Sequence, residues 1–374
     1  MSIAVVAQRF PPEPGGLARA SERIADLAVQ RGEQVHVITF SRKVAPGART
    51  TREQGRYLLH AIGELADEER ALRALVDHGA AVVEDNALDL VHGIYGGFAA
   101  TLIADFTARP SVVSLRGNDF DRGLFRAELP RLEHAMRRAT VVTAVTRQMA
   151  ERAGRVFGRE VRYVPNAVDA EAFRRETPDN SLRASLGLGE AQVIGFAGEL
   201  REKKGMRFLL PAFAAVARRR NVHLLLIGGL REEAQAAMEV FRRAEPGAFE
   251  RVHVLPYERS AQRLSGLYAL CDVMVFASLF EGMPNAVLEA MAAECAILAT
   301  DVGGHRELIE HGASGALVSL NDLDRLPEAI EEMLDLPAER RRELGAVARR
   351  RVMDQHSLER ESVAWGEIYS AARR

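Results

Sequence analysis

Two glutamates eight residues apart, Glu281 and Glu289, flank Gly282-Met283-Pro284-Asn285-Ala286. Proline is favoured in the first turn of a helix, so the segment reads as a loop entering a helix near residue 284. Backbone N–H groups near Asn285 and Ala286 would then point out of the helix start, where an anion is stabilised. Glu289 falls more than a turn into that helix, among Ala286, Val287, Leu288 and Ala290. A carboxylate in such apolar company needs hydrogen-bond donors, and sugar hydroxyls supply them. The segment thus sets an anion site between two carboxylates. Taken singly, each glutamate also fits a plainer reading, a helix-terminal residue or a surface one.

A second candidate is Gly198-Glu199-Leu200-Arg201-Glu202-Lys203-Lys204-Gly205, between an apolar run and an amphipathic one. The chain has 50 basic residues, and only Lys43, Lys203 and Lys204 are lysines. The adjacent pair therefore stands where arginine is the default. A compact ammonium beside helix-terminal N–H groups suits a phosphate, although composition alone would make the run a solvated one. The third candidate is Phe10–Gly16, where Gly15 and Gly16 open a helix. Glycines there let the backbone approach an anion, or serve a turn alone.

These loops need a scaffold, and the hydrophobic pattern supplies it. Short apolar runs alternate with amphipathic stretches: strands at 3–7, 35–40, 89–92, 111–115, 140–144 and 161–164, with helices at 16–31, 96–108, 124–138 and 146–157 between several of them. A polar stretch, Arg174–Ser185, reads as a linker. The alternation restarts with strands at 192–197, 222–227, 251–255, 272–276 and 296–300, and helices at 205–219, 231–244, 261–270 and 284–293. From Ala338 the tail is helical and charged. Such alternation means right-handed crossovers and parallel sheets covered on both faces. The expected fold class is α/β, two Rossmann-like doubly wound parallel-sheet domains facing a central cleft, with ligands at the carboxyl ends of the strands. The first domain spans 1–168, with a C-terminal helix at about 357–374 packing back on it; the second spans 169–356.

Composition excludes other classes. The 374 residues suit two domains. A net charge of −2 argues against a general nucleic-acid binder. Two cysteines, Cys271 and Cys295, make no disulfide framework or metal spacing and read as small buried hydrophobes. The opening MSIAVVAQRF lacks a basic leader pattern, and no apolar run approaches the ~20 residues of a membrane span, so a soluble, cytoplasmic protein is expected. The arginine-rich polar segment 41–56 would meet an anionic lipid surface or form a solvated loop. The loop is favoured because no amphipathic apolar face accompanies the charges.

Glu281 and Glu289 match the E-x7-E motif of retaining glycosyltransferases with the GT-B architecture, and FEGMPNAVLEAMA resembles the signature of glycosyltransferase family 4, the group 1 transferases. Five further segments resemble that family in order: PGGLARASERIADLAVQRGEQVHVIT its opening glycine loop, helix and second strand, VPNAVDAEAF its interdomain segment, GELREKKG its G-R-L-x-x-x-K-G, ATDVGGHRELIEHGASGALV its G-G-x-x-E stretch, and the last helix the one that crosses back.

The resemblance implies an enzyme that moves a sugar, with retention, from a UDP- or GDP-linked donor to an acceptor hydroxyl. Lys204 and the helix start at Asn285-Ala286, beside Met283, would hold the diphosphate. Glu289 would take the ribose hydroxyls, Glu281 the donor sugar, and Gly15-Gly16 would approach the phosphate from the first domain. The leaving diphosphate would deprotonate the acceptor on the same face, so no catalytic metal and no separate cofactor are expected. A nucleotide-sugar epimerase of the same fold and a two-domain sugar-binding protein are the competing readings. The acceptor, whether glycan, lipid-linked sugar or small-molecule hydroxyl, is open, as is the oligomeric state.

Two departures from the family pattern matter. The arginine of G-R-L is Glu199 here, and Arg201 is the candidate replacement. Where the family has H-G-x-D, this chain has Arg116-Gly117-Asn118-Asp119. Arg116 stays protonated and so is no base; it either contacts the donor phosphate or sugar, or sits buried against Asp119 or Asp121. His92, ending its strand at the cleft, either contacts sugar or acceptor or is structural. The base is placed near Leu255-Pro256-Tyr257 by position.

Overall fold

The computed structural model describes every residue except Pro14, residues 96–107, Arg122 and residues 126–128. The chain forms two compact units, Met1–Asn166 with Leu358–Arg374, and Ala167–Ser357.

The first unit is built on eight strands: β1 (Ser2–Ala7), β2 (Gln34–Pro46), β3 (Arg49–Gln54), β4 (Tyr57–Gly63), β5 (Leu90–Ile94), β6 (Ser111–Leu115), β7 (Val141–Ala144) and β8 (Arg162–Tyr163). Their order is β3-β4-β2-β1-β5-β6-β7-β8, and only β3 is antiparallel to its neighbour. β1 pairs with β2 on one side and β5 on the other, Ile3 lying opposite both Val35 and Leu90. This is the point where strand order reverses, and where open α/β sheets bind ligands. Between β1 and β2 the helix Gly16–Gln30 buries Ala20, Ile24, Leu27 and Ala28, four-residue spacing that puts one apolar face on the sheet. Gly15 enters it at φ 120°, and Gly32 leaves it at φ 83°, both backbone states that favour glycine.

The C-terminal helix Leu358–Arg373 completes this core. Trp365, Ile368 and Tyr369 are buried in the same cluster as Ile3, Val5, Leu90 and Val112. Its ends are tied down by ion pairs, Arg23 to Glu361 at 2.6 Å and Arg373 to Glu33 at 2.8 Å.

Sequence and structure part company at several places here. Residues 41–56, expected as a solvated loop, are mostly strand: β2 runs on to Pro46, and after a turn β3, Arg49–Gln54, pairs antiparallel with β4. The segment hid because β3 is an exposed edge strand of polar residues, held by backbone pairing with no apolar alternation to reveal it. β5 is Leu90–Ile94, shifted from 89–92. Over 124–138, where one helix is expected, the described residues form a 3-10 turn, Gly123–Phe125, and an α-helix, Leu129–Arg138. The helix expected over 96–108 lies, save Ala108, outside the described residues.

The second unit has six parallel strands, β9 (Gln192–Ala197), β10 (Val222–Ile227), β11 (Val252–Leu255), β12 (Val273–Phe276), β13 (Ile297–Thr300) and β14 (Ala316–Val318), ordered β11-β10-β9-β12-β13-β14. β9 lies between β10 and β12, so strand order reverses there too. The stretch 174–185, expected as linker, holds a short helix, Asn180–Ser185, capped by Asp179, whose carboxylate accepts from Ser181 and Leu182 N–H. The charged tail is two helices, Ala338–Gln355 and Leu358–Arg373.

Because Trp365 is 1% exposed in the first unit's core, Trp365→Ala should destabilise that unit by about 3–5 kcal/mol in urea unfolding. A loss below about 1 kcal/mol would show that the last helix is not part of its core.

Candidate active site

Three neighbouring strands of the second unit, β9, β12 and β13, deliver the loops that carried the sequence motifs. After β9 the chain turns through Gly198 (φ 118°) into a short 3-10 turn, Glu202–Lys204, and Gly205 (φ 71°) starts the helix Met206–Ala217. After β12 it runs through Ser278 and Glu281 to the helix Asn285–Ala292, with Pro284 as its cap residue. After β13 it passes Gly303-Gly304 into the helix Gly303–Leu308.

The loops interlock. Leu279 N–H donates to Lys203 O at 2.9 Å. A Cβ on Gly205 would lie 1.8 Å from Ala277 O, one on Gly303 1.9 Å from Glu281 O, and one on Gly304 2.0 Å from Gly282 O. Only glycine permits these backbone approaches.

At the centre is Glu281, 7% exposed. Lys203 Nζ lies 3.3 Å from its Oε2, Lys204 Nζ donates to its Oε1, and Ser278 Oγ donates to Oε1 at 3.0 Å. Burial pushes the carboxyl up, but the Lys204 and Lys203 ammonium groups outweigh it and hold Glu281 well below the usual carboxylate range. Burial in turn lowers Lys203. Lys203, which the sequence left unassigned, is thus half of the arrangement. Arg201 is partly buried, feels the Glu281 charge, and has a buried Nε without an acceptor among the described residues. Two ammoniums and a guanidinium around one carboxylate leave surplus positive charge. The chemical capacity of such a cluster is to hold a dianion such as a diphosphate. Glu199 is turned to Arg231, 2.6 Å away, so it is neutralised outside the cluster.

His305 was missed. Its Nδ1 lies 2.9 Å from Thr300 O, and a carbonyl only accepts, so Nδ1 carries the proton and Nε2 is an acceptor. Nε2 is buried with no partner among the described residues. Burial, the largest cause, lowers the ring to about 4, so it is neutral. The G-G-H run after β13 was the available signal.

The other predicted residues fall as follows. Glu289 is 4% exposed on its helix, with Tyr268 OH donating to Oε2 at 3.4 Å. Asn285 and Ala286 open that helix, while Met283 is buried at 4% exposure. Tyr257 follows β11, the edge strand, two strands from β9 and apart from the three-loop cluster.

Gly15, Gly16, His92 and Arg116 belong to the first unit. The expectation of a ligand-contacting His92 is corrected: it is fully buried in mid-strand, with Nδ1 2.9 Å from Tyr369 OH and Nε2 2.7 Å from Ser114 Oγ, and its ring 4.7 Å from Trp365. Both nitrogens are consumed by the core. The pairing of Arg116 with Asp119 or Asp121 is also corrected. Asp119 accepts the backbone N–H of Arg116 and Gly117, Asp121 pairs with Arg152 at 2.9 Å, and the Arg116 guanidinium donates through Nη1 to Asn166 at 2.7 Å. Asp119 and Asp121 have Asp-x-Asp spacing, but these partners occupy both. Among the described residues no three His, Cys, Asp or Glu side chains are gathered for a metal ion.

Neutral burial of His305 has a pH signature. Its ordinary value is 6.5 and its folded value about 4, so between these the unfolded chain binds more protons and stability rises with pH. The contribution is complete above pH 6.5 and is lost as pH falls toward 4. Replacing His305 by Asn should flatten the stability-versus-pH slope in that window by up to about 1.4 kcal/mol per pH unit. An unchanged slope would mean His305 protonates as freely folded as unfolded.

Comparison with known proteins agrees with the two-sheet architecture. The family model for glycosyltransferase family 4 matches residues 14–172, and that for glycosyl transferases group 1 matches residues 191–336. Alpha-maltose-1-phosphate synthase of Mycolicibacterium smegmatis is 27% identical over 99% of both chains. Among solved structures, sucrose-phosphate synthase from Thermosynechococcus elongatus superposes with a TM-score of 0.83 at 19% identity, covering 99% of this chain and 98% of its own. Anabaena HepE in complex with UDP-glucose gives 0.79 at 20% identity, over 99% of this chain and 100% of its own. With both sheets and both family models accounted for, the chain has the GT-B fold and belongs to glycosyltransferase family 4.

Proposed function

We propose that this glycosyltransferase takes a sugar from a UDP- or GDP-linked donor and transfers it, with retention and without a catalytic metal, to an acceptor hydroxyl. The observation that carries the reading is the buried Glu281 with two lysines on its carboxylate. Lys203, Lys204 and Arg201 meet the diphosphate together with the helix start at Asn285-Ala286. Glu289 takes the ribose hydroxyls. Glu281 and the free Nε2 of His305 accept hydrogen bonds from the donor sugar. The bond from the anomeric carbon to the diphosphate oxygen breaks, and its electron pair stays on the diphosphate. The acceptor oxygen bonds to that carbon on the same face, and its proton passes to the leaving phosphate oxygen. The protein's contribution is charge stabilisation and positioning, with lysines in place of a metal. HepE, bound to UDP-glucose, supports a UDP donor, and a GDP-mannose-dependent mannosyltransferase of Mycobacterium tuberculosis, 28% identical over 58% of this chain, supports a GDP one.

Incubation with UDP- and GDP-sugars tests this. Slow release of nucleoside diphosphate, unaffected by EDTA, with product NMR showing the donor's anomeric configuration, is the expected result. An altered sugar still attached to nucleotide would mean an epimerase, and an intact donor a binding protein. Lys204→Ala should lower kcat/KM for the donor at least about 100-fold; an unchanged value would remove the phosphate-clamp role.

A further inference from the structure

Arg116 follows β6 at the carboxyl edge of the first unit's sheet. Its Nη1 is spent on Asn166 Oδ1 at 2.7 Å. That same oxygen accepts from Arg23 Nη2 at 3.1 Å, and Arg23 Nε donates to Glu361 at 2.6 Å. Glu361, 2% exposed, is therefore neutralised by Arg23, and its Oε1 also accepts from Trp365 Nε1 at 3.3 Å. Asp119 is engaged with backbone N–H groups. His92 is neutral, lowered well below its ordinary value by burial and by Arg116. Among the described residues, no carboxylate pairs directly with the Arg116 guanidinium, although the charges of Glu361 and Asp119 act on it.

Two atoms of its guanidinium, Nε and Nη2, are shielded from solvent and make no hydrogen bond. They are not an arbitrary pair. Nε–H and Nη2–H lie side by side and form the edge that grips an oxyanion through two parallel bonds. Elsewhere in this chain the same edge does this: Arg306 offers Asp301 contacts of 2.6 and 3.0 Å, and Arg242 offers Glu239 contacts of 2.8 and 2.7 Å. In Arg116 that edge is held in place by Asn166, and its cation lies 5.7 Å from the Trp365 ring centre. The ring offers a π face and no oxygen. Arg116 as a whole residue is only partly buried. Burying two N–H groups of a permanent cation unpaired is costly, and an anionic ligand removes that cost.

We propose that the Nε–Nη2 edge of Arg116 binds an oxyanion, a phosphate monoester or a carboxylate, carried by the acceptor. The enzyme then selects anionic acceptors, and Asn166 and Arg23 act as positioning residues for the fork. This deepens the transferase reading and rests on it, but its test is one of binding alone.

Calorimetry with inorganic phosphate, hexose monophosphates, hexuronic acids and the parent neutral hexoses, with and without saturating UDP or GDP, provides it. At least one anionic class should bind 10-fold or more tighter than its neutral parent; which class does so names the oxyanion. Arg116→Gln should abolish that advantage while leaving UDP or GDP affinity unchanged, and Arg116→Lys, which keeps the charge without the fork, should restore only part of it. If Arg116→Gln fails to fold, the Lys variant alone carries the test, with a loss of several-fold expected. Equal binding of anionic and neutral sugars, or an anion affinity untouched by either variant, would overturn the proposal. So would a loss of nucleotide affinity in the variants, which would assign the edge to the donor diphosphate. Failure of both nucleotides to bind the wild type would sink the donor reading, while the nucleotide-free arm would still decide the Arg116 site.

Discussion

The second unit depends on one buried carboxylate. Glu281 would be costly under β12's loop without partners. Lys203 and Lys204 come from the loop after β9, and Ser278 from Glu281's own loop, so the ion cluster joins two strand ends. The backbone follows suit: Leu279 bonds to Lys203, while Gly205, Gly303 and Gly304 let three loops touch without a Cβ between them. Charge pairing and glycine spacing therefore fix the same arrangement. It is rigid enough to hold cations where they are not fully neutralised, which is what recognition of a dianion requires.

The two units use arginine and lysine differently. In the first, arginines tie the last helix to the helix Gly16–Gln30 and to the turn before β2, as in Arg23–Glu361 and Arg373–Glu33. In the second, the chain departs from its own habit and places two lysines at a single carboxylate. Lysine is a compact point charge that turns from one oxygen to another without a fork's geometry. Under the proposed function, a side chain that pairs with Glu281 and also meets a phosphate benefits from that freedom, whereas an anchor such as Arg373 benefits from the fork.

Much of this was legible beforehand because the central strands are continuous apolar runs, as parallel strands buried on both faces must be. Val222–Ile227 and Ser111–Leu115 were read with their bounds unchanged. β3 was not, because the stability of an exposed edge strand resides in backbone hydrogen bonds that any residue supplies. The residues of the Lys–Glu cluster were legible as motifs, but the ion pair itself was not: Lys203 and Glu281 are 78 residues apart, and only the adjacency of β9 and β12 brings them together. His92 misled for the opposite reason. A histidine placed near the end of a strand invites a ligand role, yet helix Leu358–Arg373 supplies Tyr369 to satisfy it. Arg116 stood out in the sequence as a departure from the family pattern, and His305 lies in a G-G-H run, but what marks both is a missing hydrogen bond, which no sequence displays.

In the proposed reaction, the charge surplus around Glu281 holds the donor diphosphate. A double-mutant cycle on Lys204 and Glu281, read as affinity for the bare nucleoside diphosphate, tests it most directly. Lys204→Ala should weaken binding at least 10-fold, whereas Glu281→Gln, which frees the lysines, should leave it equal or tighter. The double variant should bind no better than Lys204→Ala alone. Weakening by Glu281→Gln as large as that by Lys204→Ala would mean the ion pair merely holds the loops together, and would contradict the claim.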